Sequence, residues 1–422
     1  MKYFLLSSFF FLFYIFSSTA QTTKRVLFIG NSYTSVNNLP SMISNMAVST
    51  GDMLTFDSNT PGGYRLMNHA SNSTTLNKIN SNAWDYVVLQ AQSQETSFSE
   101  SQMASEVYPY AASLSNAVRA NNECSQPMFY MTWGKENGDA SNCNFIPWVC
   151  TYAGMDDVIR ATYINMSQTN HAELAPVGAV WRYLRTNYPS IGLYSSDSSH
   201  PSVEGSYAAA CAFYTMIFKK DPTLITWNST LSESEATTIK LATKTIVFDQ
   251  IASWDYTINP ATANFSEVIQ AGEVSFSNTS ATFDSLVWNF GDGNESNEIN
   301  PIHNYATSGA YMVTLTTTKC GKSNTLTKTI VINTTLNTEI FNQEKKFSIY
   351  PNPSSNRFTI SLHKNYKNIS VTIVDVMGKT IQHKELQDIS ILEMDLAGLN
   401  NGMYLVQIVA DDEFYTSKII KQ

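Results

Sequence analysis

A switch in hydrophobic periodicity near Pro260 restricts this chain more than any other feature. Ahead of it, from Arg25 to about Lys220, short apolar runs alternate with segments whose apolar residues recur at three- and four-residue spacing. A short run apolar throughout suits a strand buried on both faces, and a helix between two such strands is the crossover a parallel sheet requires. Strands are expected at residues 25–29, 53–57, 85–89, 128–132 and 173–177. Leu39, Met42, Ile43, Met46 and Ala47 mark a helix behind Pro40, a residue suited to a first helical turn, and this helix directly follows the turn Gly30-Asn31-Ser32. Further helices are expected at 203–219, just beyond His200 and Pro201, and at 233–253. After Pro260 only short alternating strands and Asn/Gly turns follow, and the polar stretch 336–346 has no sustained alternation, as a linker should. At 422 residues the chain exceeds a single core. The expected division is a leader at 1–20, an α/β domain at 21–258, a β domain at 259–335, the linker at 336–346 and a second β domain at 347–422.

The leader places Lys2 before the apolar run 4–16 and the small residues Ser17, Ser18, Thr19 and Ala20, the pattern of a signal peptide cleaved before Gln21. No later stretch is apolar and long enough to span a bilayer, so no transmembrane segment is expected in the mature protein. Charged residues are only 14% of the chain, and the net charge of -9 comes without a Lys/Arg stripe that could follow a phosphate backbone, which argues against nucleic acid as a partner. Export permits disulfides, but five cysteines cannot all pair within one molecule. Cys143 and Cys150, flanking a Trp-containing loop, form the favoured pair among Cys124, Cys143, Cys150 and Cys320, while Cys211 in an apolar helical run is expected as a buried free thiol. No spacing suggests a metal site, and no cofactor is expected.

Ser32 follows an apolar strand and a glycine, which places it at the carboxyl edge of a parallel sheet, where open α/β sheets carry their sites. A lone serine in such a turn is commonly just a helix cap. The segment Ser195-Ser196-Asp197-Ser198-Ser199-His200-Pro201 supplies what Ser32 lacks, a base and, three residues earlier, an acceptor to orient it. Asp197 as a turn residue and His200 as an exposed loop residue are the bland alternatives. The five residues Gly30-Asn31-Ser32-Tyr33-Thr34 lack the second glycine of a G-x-S-x-G elbow, which excludes the α/β-hydrolase pattern.

Gly30-Asn31-Ser32 near the mature N-terminus, a central glycine block and Asp-x-x-His near the domain end resemble the SGNH (GDSL-like) hydrolases over roughly residues 24–220. The resemblance implies a flavodoxin-like three-layer α/β/α domain and a serine esterase in which Ser32 attacks, His200 is the base and Asp197 holds the ring. It also implies an oxyanion hole built from the Ser32 N–H, a glycine N–H and a side-chain amide. Gly63 of Pro61-Gly62-Gly63 matches the glycine, although a plain tight turn explains that block as well. The usual Gly-Asp-Ser is Gly-Asn-Ser here, and Gly-x-Asn-Asp is replaced by Leu89-Gln90-Ala91-Gln92-Ser93-Gln94-Glu95. Ungapped, Gln94 stands opposite the family asparagine and ranks first as amide donor, with Gln92 second. Trp133 and Trp148 are candidates for stacking on a sugar ring, with core packing the stronger expectation for each.

Trp288-Asn289-Phe290-Gly291-Asp292-Gly293 and the strand around Tyr311-Met312-Val313-Thr314-Leu315 resemble a PKD domain, an immunoglobulin-like sandwich in which Trp288 is a core residue and Asp292 a turn residue. Phe347-Ser348-Ile349-Tyr350-Pro351-Asn352-Pro353, Val374-Asp375-Val376-Met377-Gly378-Lys379 and Gly402-Met403-Tyr404-Leu405-Val406 resemble the type IX secretion C-terminal sorting domain, a second small β-sandwich. That resemblance implies handling by the type IX machinery, then release or attachment at the cell surface. The combined expectation is a secreted esterase acting on oxygen esters through an acyl-enzyme, with acyl or acetyl groups of extracellular polysaccharide as the expected substrate. The competing expectations are a noncatalytic carbohydrate-binding surface module and a lipid esterase of the same fold.

Overall fold

A computed structural model describes residues 21–270, 272–333, 347–411 and 413–422. The expected leader and the 336–346 linker lie outside the described residues. The chain divides into two compact units, one holding residues up to 268 with 274–303 and 311–330, the other holding 269–273, 304–310 and 331–422.

The N-terminal α/β domain is built on strands β1 (Thr23–Ile29), β2 (Met53–Asn59), β3 (Tyr86–Leu89), β4 (Gln126–Tyr130) and β5 (Glu173–Ala175), all parallel, in the order β2-β1-β3-β4-β5. This is the flavodoxin-like order, whose switch point lies between β1 and β3. Ser32 follows β1 and therefore emerges at that point. Val26, Leu27, Phe28 and Ile29 of β1 and Val87, Val88 and Leu89 of β3 are fully buried, as strands covered on both faces must be.

The helices are α1 (Ser32–Ser35), α2 (Leu39–Ser49), α3 (Leu66–Ser71), α4 (Ser73–Asn80), α5 (Glu100–Glu106), α6 (Tyr108–Asn121), α7 (Tyr152–Thr169), α8 (Val177–Asn187), α9 (Val203–Phe218) and α10 (Glu233–Ile246). Helices α2, α8, α9 and α10 are linked by contacts with one another, and α3, α4 and α5 each pack on α6. In α9 every residue from Gly205 to Phe218 is buried, consistent with its packing against α2, α8 and α10 together. No helix among the described residues is long and apolar enough to cross a membrane.

Strand β5 and the last helix end earlier than expected, each for a local reason. Strand β5 stops at Ala175 because Pro176 has no N–H for the ladder and precedes α8. The helix expected over 233–253 ends at Ile246, in the β-branched run Thr245-Ile246-Val247, and continues as a 3-10 segment over Phe248–Trp254.

Beyond residue 260 the described structure is β. Two sheets are formed, one of β6 (Phe265–Gln270), β7 (Glu273–Asn278) and β10 (Ile302–Asn304), the other of β8 (Ser285–Asn289), β9 (Glu295–Ser296), β11 (Gly309–Lys319) and β12 (Lys322–Ile332). Trp288 is fully buried against Phe265 and Phe276, at ring separations of 5.0 and 5.2 Å. The C-terminal domain is an antiparallel sheet of β13 (Phe347–Tyr350), β14 (Arg357–Val374), β15 (Thr380–Asp395), β16 (Gly402–Ala410) and β17 (Glu413–Lys421). The first part of β14 pairs with β13 and its later part with β16, while β15 follows it on the other edge.

Cys143 bonds to Cys150, Cys124 bonds to Cys320, and Cys211 is a buried free thiol. The second bond, across 196 residues, ties the α/β domain to the hairpin of β11 and β12. Lys319 beside it pairs with Glu123 at 2.5 Å and Asp284 at 2.9 Å, and Lys322 pairs with Asp255 at 3.3 Å.

Candidate active site

Side-chain hydrogen bonds of Asn31 and Gln90 fix the turn after β1. Asn31 caps α1 by accepting the Tyr33 N–H on Oδ1, at 3.0 Å. The buried amide of Gln90, directly after β3, accepts the Asn31 N–H and the Thr34 hydroxyl, both at 2.9 Å, and donates to Asn31 Oδ1 at 2.9 Å. This close approach requires Gly30, since a Cβ there would stand 2.6 Å from both Gln90 Oε1 and Thr34 Oγ1. Behind the turn, buried His69 donates from Nε2 to the Gly30 carbonyl at 2.8 Å, which leaves Nδ1 to accept from Thr75 Oγ1 at 2.8 Å. Burial holds the His69 ring below its ordinary pKa, against the opposing effect of its bond to Gly30.

Ser32 is thus presented at the first position of α1, half-buried, and among the described residues its N–H has no acceptor. Its Oγ lies 2.9 Å from His200 Nε2, and His200 Nδ1 lies 2.5 Å from Asp197 Oδ2. Asp197 Oδ1 accepts the N–H groups of Ser199 and His200 and the Ser195 hydroxyl, at 3.0, 2.9 and 2.8 Å. Partial burial raises the Asp197 pKa, but these bonds, led by the His200 ring, outweigh it and hold the carboxyl well below the ordinary range. Asp197 is therefore an acceptor for the ring Nδ1–H, leaving Nε2 free to take the Ser32 proton.

The loop bearing Asp197 and His200 is held from several sides. Tyr33 stacks on Trp133 at 4.8 Å, meets the His200 ring edge-on at 5.3 Å and bonds Ser199 Oγ at 2.6 Å. Burial pushes the Tyr33 phenol up to about 12, so it remains a neutral hydroxyl. Trp133 donates to the Ser199 carbonyl at 3.1 Å, and Asn37 donates to the Pro201 and Ser202 carbonyls at 3.3 and 2.9 Å. Ser198 adopts a left-handed backbone, φ 58°, and exchanges bonds with Glu136.

The structure brings Ser32, His200 and Asp197 into one hydrogen-bonded line. Among the described residues no hydrogen bond joins Gly63, Gln92 or Gln94 to that line. Gly63 is exposed with φ 71°. Its neighbour Tyr64 offers a carbonyl to Asn31 Nδ2 at 3.0 Å, tying the glycine turn to the serine turn. Gln92 Oε1 accepts the N–H groups of Gln94 and Glu95, and its amide donates to Ser93 Oγ and Gln94 Oε1. Gln94 donates from Nε2 to Asp139 Oδ2 at 2.7 Å. Buried Glu95 joins the two loops, accepting the Gln92 N–H at 2.8 Å and pairing with Arg65 at 2.5 Å. Trp133 is fully buried between Tyr33 and Trp181, whereas Trp148 is 40% exposed and donates to the Ser97 carbonyl at 2.7 Å. Cys124, Asp284 and Cys320 lie within metal-ligand reach of one another, but both sulfurs are spent in a disulfide. Gln90 and His69 were not singled out by sequence. The signal available for Gln90 was a polar residue directly after the apolar run of β3, whereas His69 lacked any local one.

Residues 245–334 match the family model for the PKD domain, and residues 348–422 match that for the secretion system C-terminal sorting domain. Over a shorter span, the PKD1 domain of the metalloprotease PrtV from Vibrio cholerae is 35% identical, covering 17% of this chain and 96% of that one, with a TM-score of 0.17. The chain carries a PKD domain and a sorting domain. The sorting domain indicates export from the cell or to its surface. The α/β domain ahead of the PKD domain resembles SGNH hydrolases. A protein from Slackia heliotrinireducens described as an SGNH hydrolase is 27% identical, covering 46% of this chain and 98% of that one at a TM-score of 0.39. A DUF4886 family protein from Bacteroides uniformis is 16% identical, covering 56% and 97% at a TM-score of 0.47. No curated protein matches the chain.

Proposed function

We propose that this protein is an exported serine esterase that hydrolyses oxygen esters through an acyl-enzyme on Ser32. The observation that carries the reading is the unbroken line from Ser32 Oγ through His200 to Asp197, at 2.9 and 2.5 Å. His200 Nε2 takes the Ser32 proton as Oγ attacks the ester carbonyl, then returns it to the departing alcohol. The same base activates water to release the acid. Asp197 keeps the proton on Nδ1 and offsets the charge that develops on the ring. The Ser32 N–H, the Gly63 N–H and the Gln94 amide, with Gln92 second to it, are the donors proposed for the oxyanion. The PKD domain and the sorting domain favour acyl or acetyl groups on extracellular polysaccharide as the substrate class.

The test is hydrolysis of p-nitrophenyl acetate and its longer-chain homologues by the mature protein. Ser32→Ala and His200→Ala should each lower kcat by roughly 10³-fold or more. Rates equal to the wild type in both variants would remove the triad. A wild type that hydrolyses no ester but binds polysaccharide would support the noncatalytic reading, and a preference for long acyl chains would point to lipid esters.

A further inference from the structure

Asp139 has no part in the line from Ser32 to Asp197, yet its carboxylate is 1% exposed and accepts four donors. Lys135 Nζ and the Ser141 N–H lie at 3.2 Å, and Asn142 Nδ2 and Gln94 Nε2 at 2.7 Å. Burial raises its pKa, but the bonds from Asn142, Gln94 and Lys135 outweigh it and hold the carboxyl below its ordinary range. An ionised carboxylate only accepts, so the nitrogen of the Gln94 amide must face it, and Gln92 donates to the opposite Oε1 at 3.2 Å. Both ends of the Gln94 amide are therefore assigned by chemistry. The backbone around Asp139 is equally constrained. Its N–H donates to Val149 O at 2.6 Å, and its carbonyl accepts the N–H groups of Asn142 and Cys143 at 3.1 and 3.0 Å, so two of its three backbone bonds run into the loop closed by Cys143 and Cys150. Trp148 of that loop makes a second link, to Ser97 three residues past Gln94.

We infer that Asp139 is a positioning residue for ester hydrolysis: by accepting one N–H of Gln94 it directs the other toward the carbonyl oxygen of a bound ester. The inference rests on the reading of Ser32 as nucleophile and Gln94 as oxyanion donor. A glutamine stem has one more rotatable bond than asparagine, and the fixed carboxylate removes that freedom, as a preorganised donor requires.

The test is a double-mutant cycle on p-nitrophenyl acetate with the full mature chain. Asp139→Asn should lower kcat roughly tenfold with KM changed by less than about twofold, and should cause no further loss in a Gln94→Ala background. An unchanged kcat in Asp139→Asn, an equal loss in both backgrounds, or an unchanged rate in Gln94→Ala overturns the inference. If Asp139→Asn does not fold, Cys143→Ser with Cys150→Ser replaces it in the same cycle. A kcat loss present with Gln94 and absent without it supports the inference, and no loss or an equal loss overturns it. Ser32→Ala separates the two readings. If that variant is inactive and the cycle is additive, only the role of Asp139 fails, whereas an active Ser32→Ala removes the esterase reading beneath it.

Discussion

Asn31 stands where the related pattern carries aspartate, and its contacts account for the exchange. Oδ1 caps α1 and accepts from Gln90, while Nδ2 donates to the Tyr64 carbonyl, a bond no carboxylate can make. The donor proposed at Gln94 differs in kind, because its amide nitrogen bonds a carboxylate, that of Asp139. Gln94→Ala should lower kcat by roughly 10²-fold with little change in KM, read by steady-state ester hydrolysis, and an unchanged rate would pass the role to Gln92. At this scale the sequence was legible where chemistry is local. Asp197 and His200 lie three residues apart, and Ser32 follows a strand and a glycine, so these three could be picked out as candidates from spacing, and the structure brings them into one hydrogen-bonded line. Gln90 and Asp139 were not legible, because they act on Asn31 and Gln94 from 59 and 45 residues away through strand and loop packing.

The element that presents Ser32 is the step from β1 to α1, and a neutral ring supports it from behind. His69 is buried, its Nε2–H is committed to Gly30, and its pKa is depressed in the folded state. As pH falls below about 6.5 the unfolded chain takes up a proton that the folded chain refuses, so stability contributed by His69 is present above that pH and is lost below it. The Tm should therefore fall between about pH 6.5 and 5 by more in the wild type than in His69→Gln, which still donates to Gly30 but does not titrate; parallel curves would deny His69 that part. Strands β1 to β4 were read from their apolar runs to within two residues at either end. Apolar spacing continues past Ile246, where the α-helix stops, because the chain goes on as a 3-10 segment that also turns apolar residues inward.

For the molecule as a whole the long-range disulfide is the element that no local pattern predicts, since its partners are separated by 196 residues and belong to different domains. Replacing Cys124 and Cys320 by serine should lower unfolding stability by up to about 5 kcal/mol on a chain-entropy estimate, read by denaturant unfolding. Ester hydrolysis should survive the change, because Cys124 precedes β4 at the amino end of the sheet, opposite the carboxyl ends where Ser32 emerges. A retained midpoint would mean that the ion pairs of Lys319 and Lys322 hold the two domains together unaided. The same bond changes what a protease can remove. No cysteine lies at residues 321–422, so after one cut within residues 334–346 no disulfide holds the sorting domain to the residues before it. A cut between residues 256 and 264, ahead of β6, leaves the strands beyond it attached to the α/β domain through sulfur, and the fragments part on a gel only after reduction.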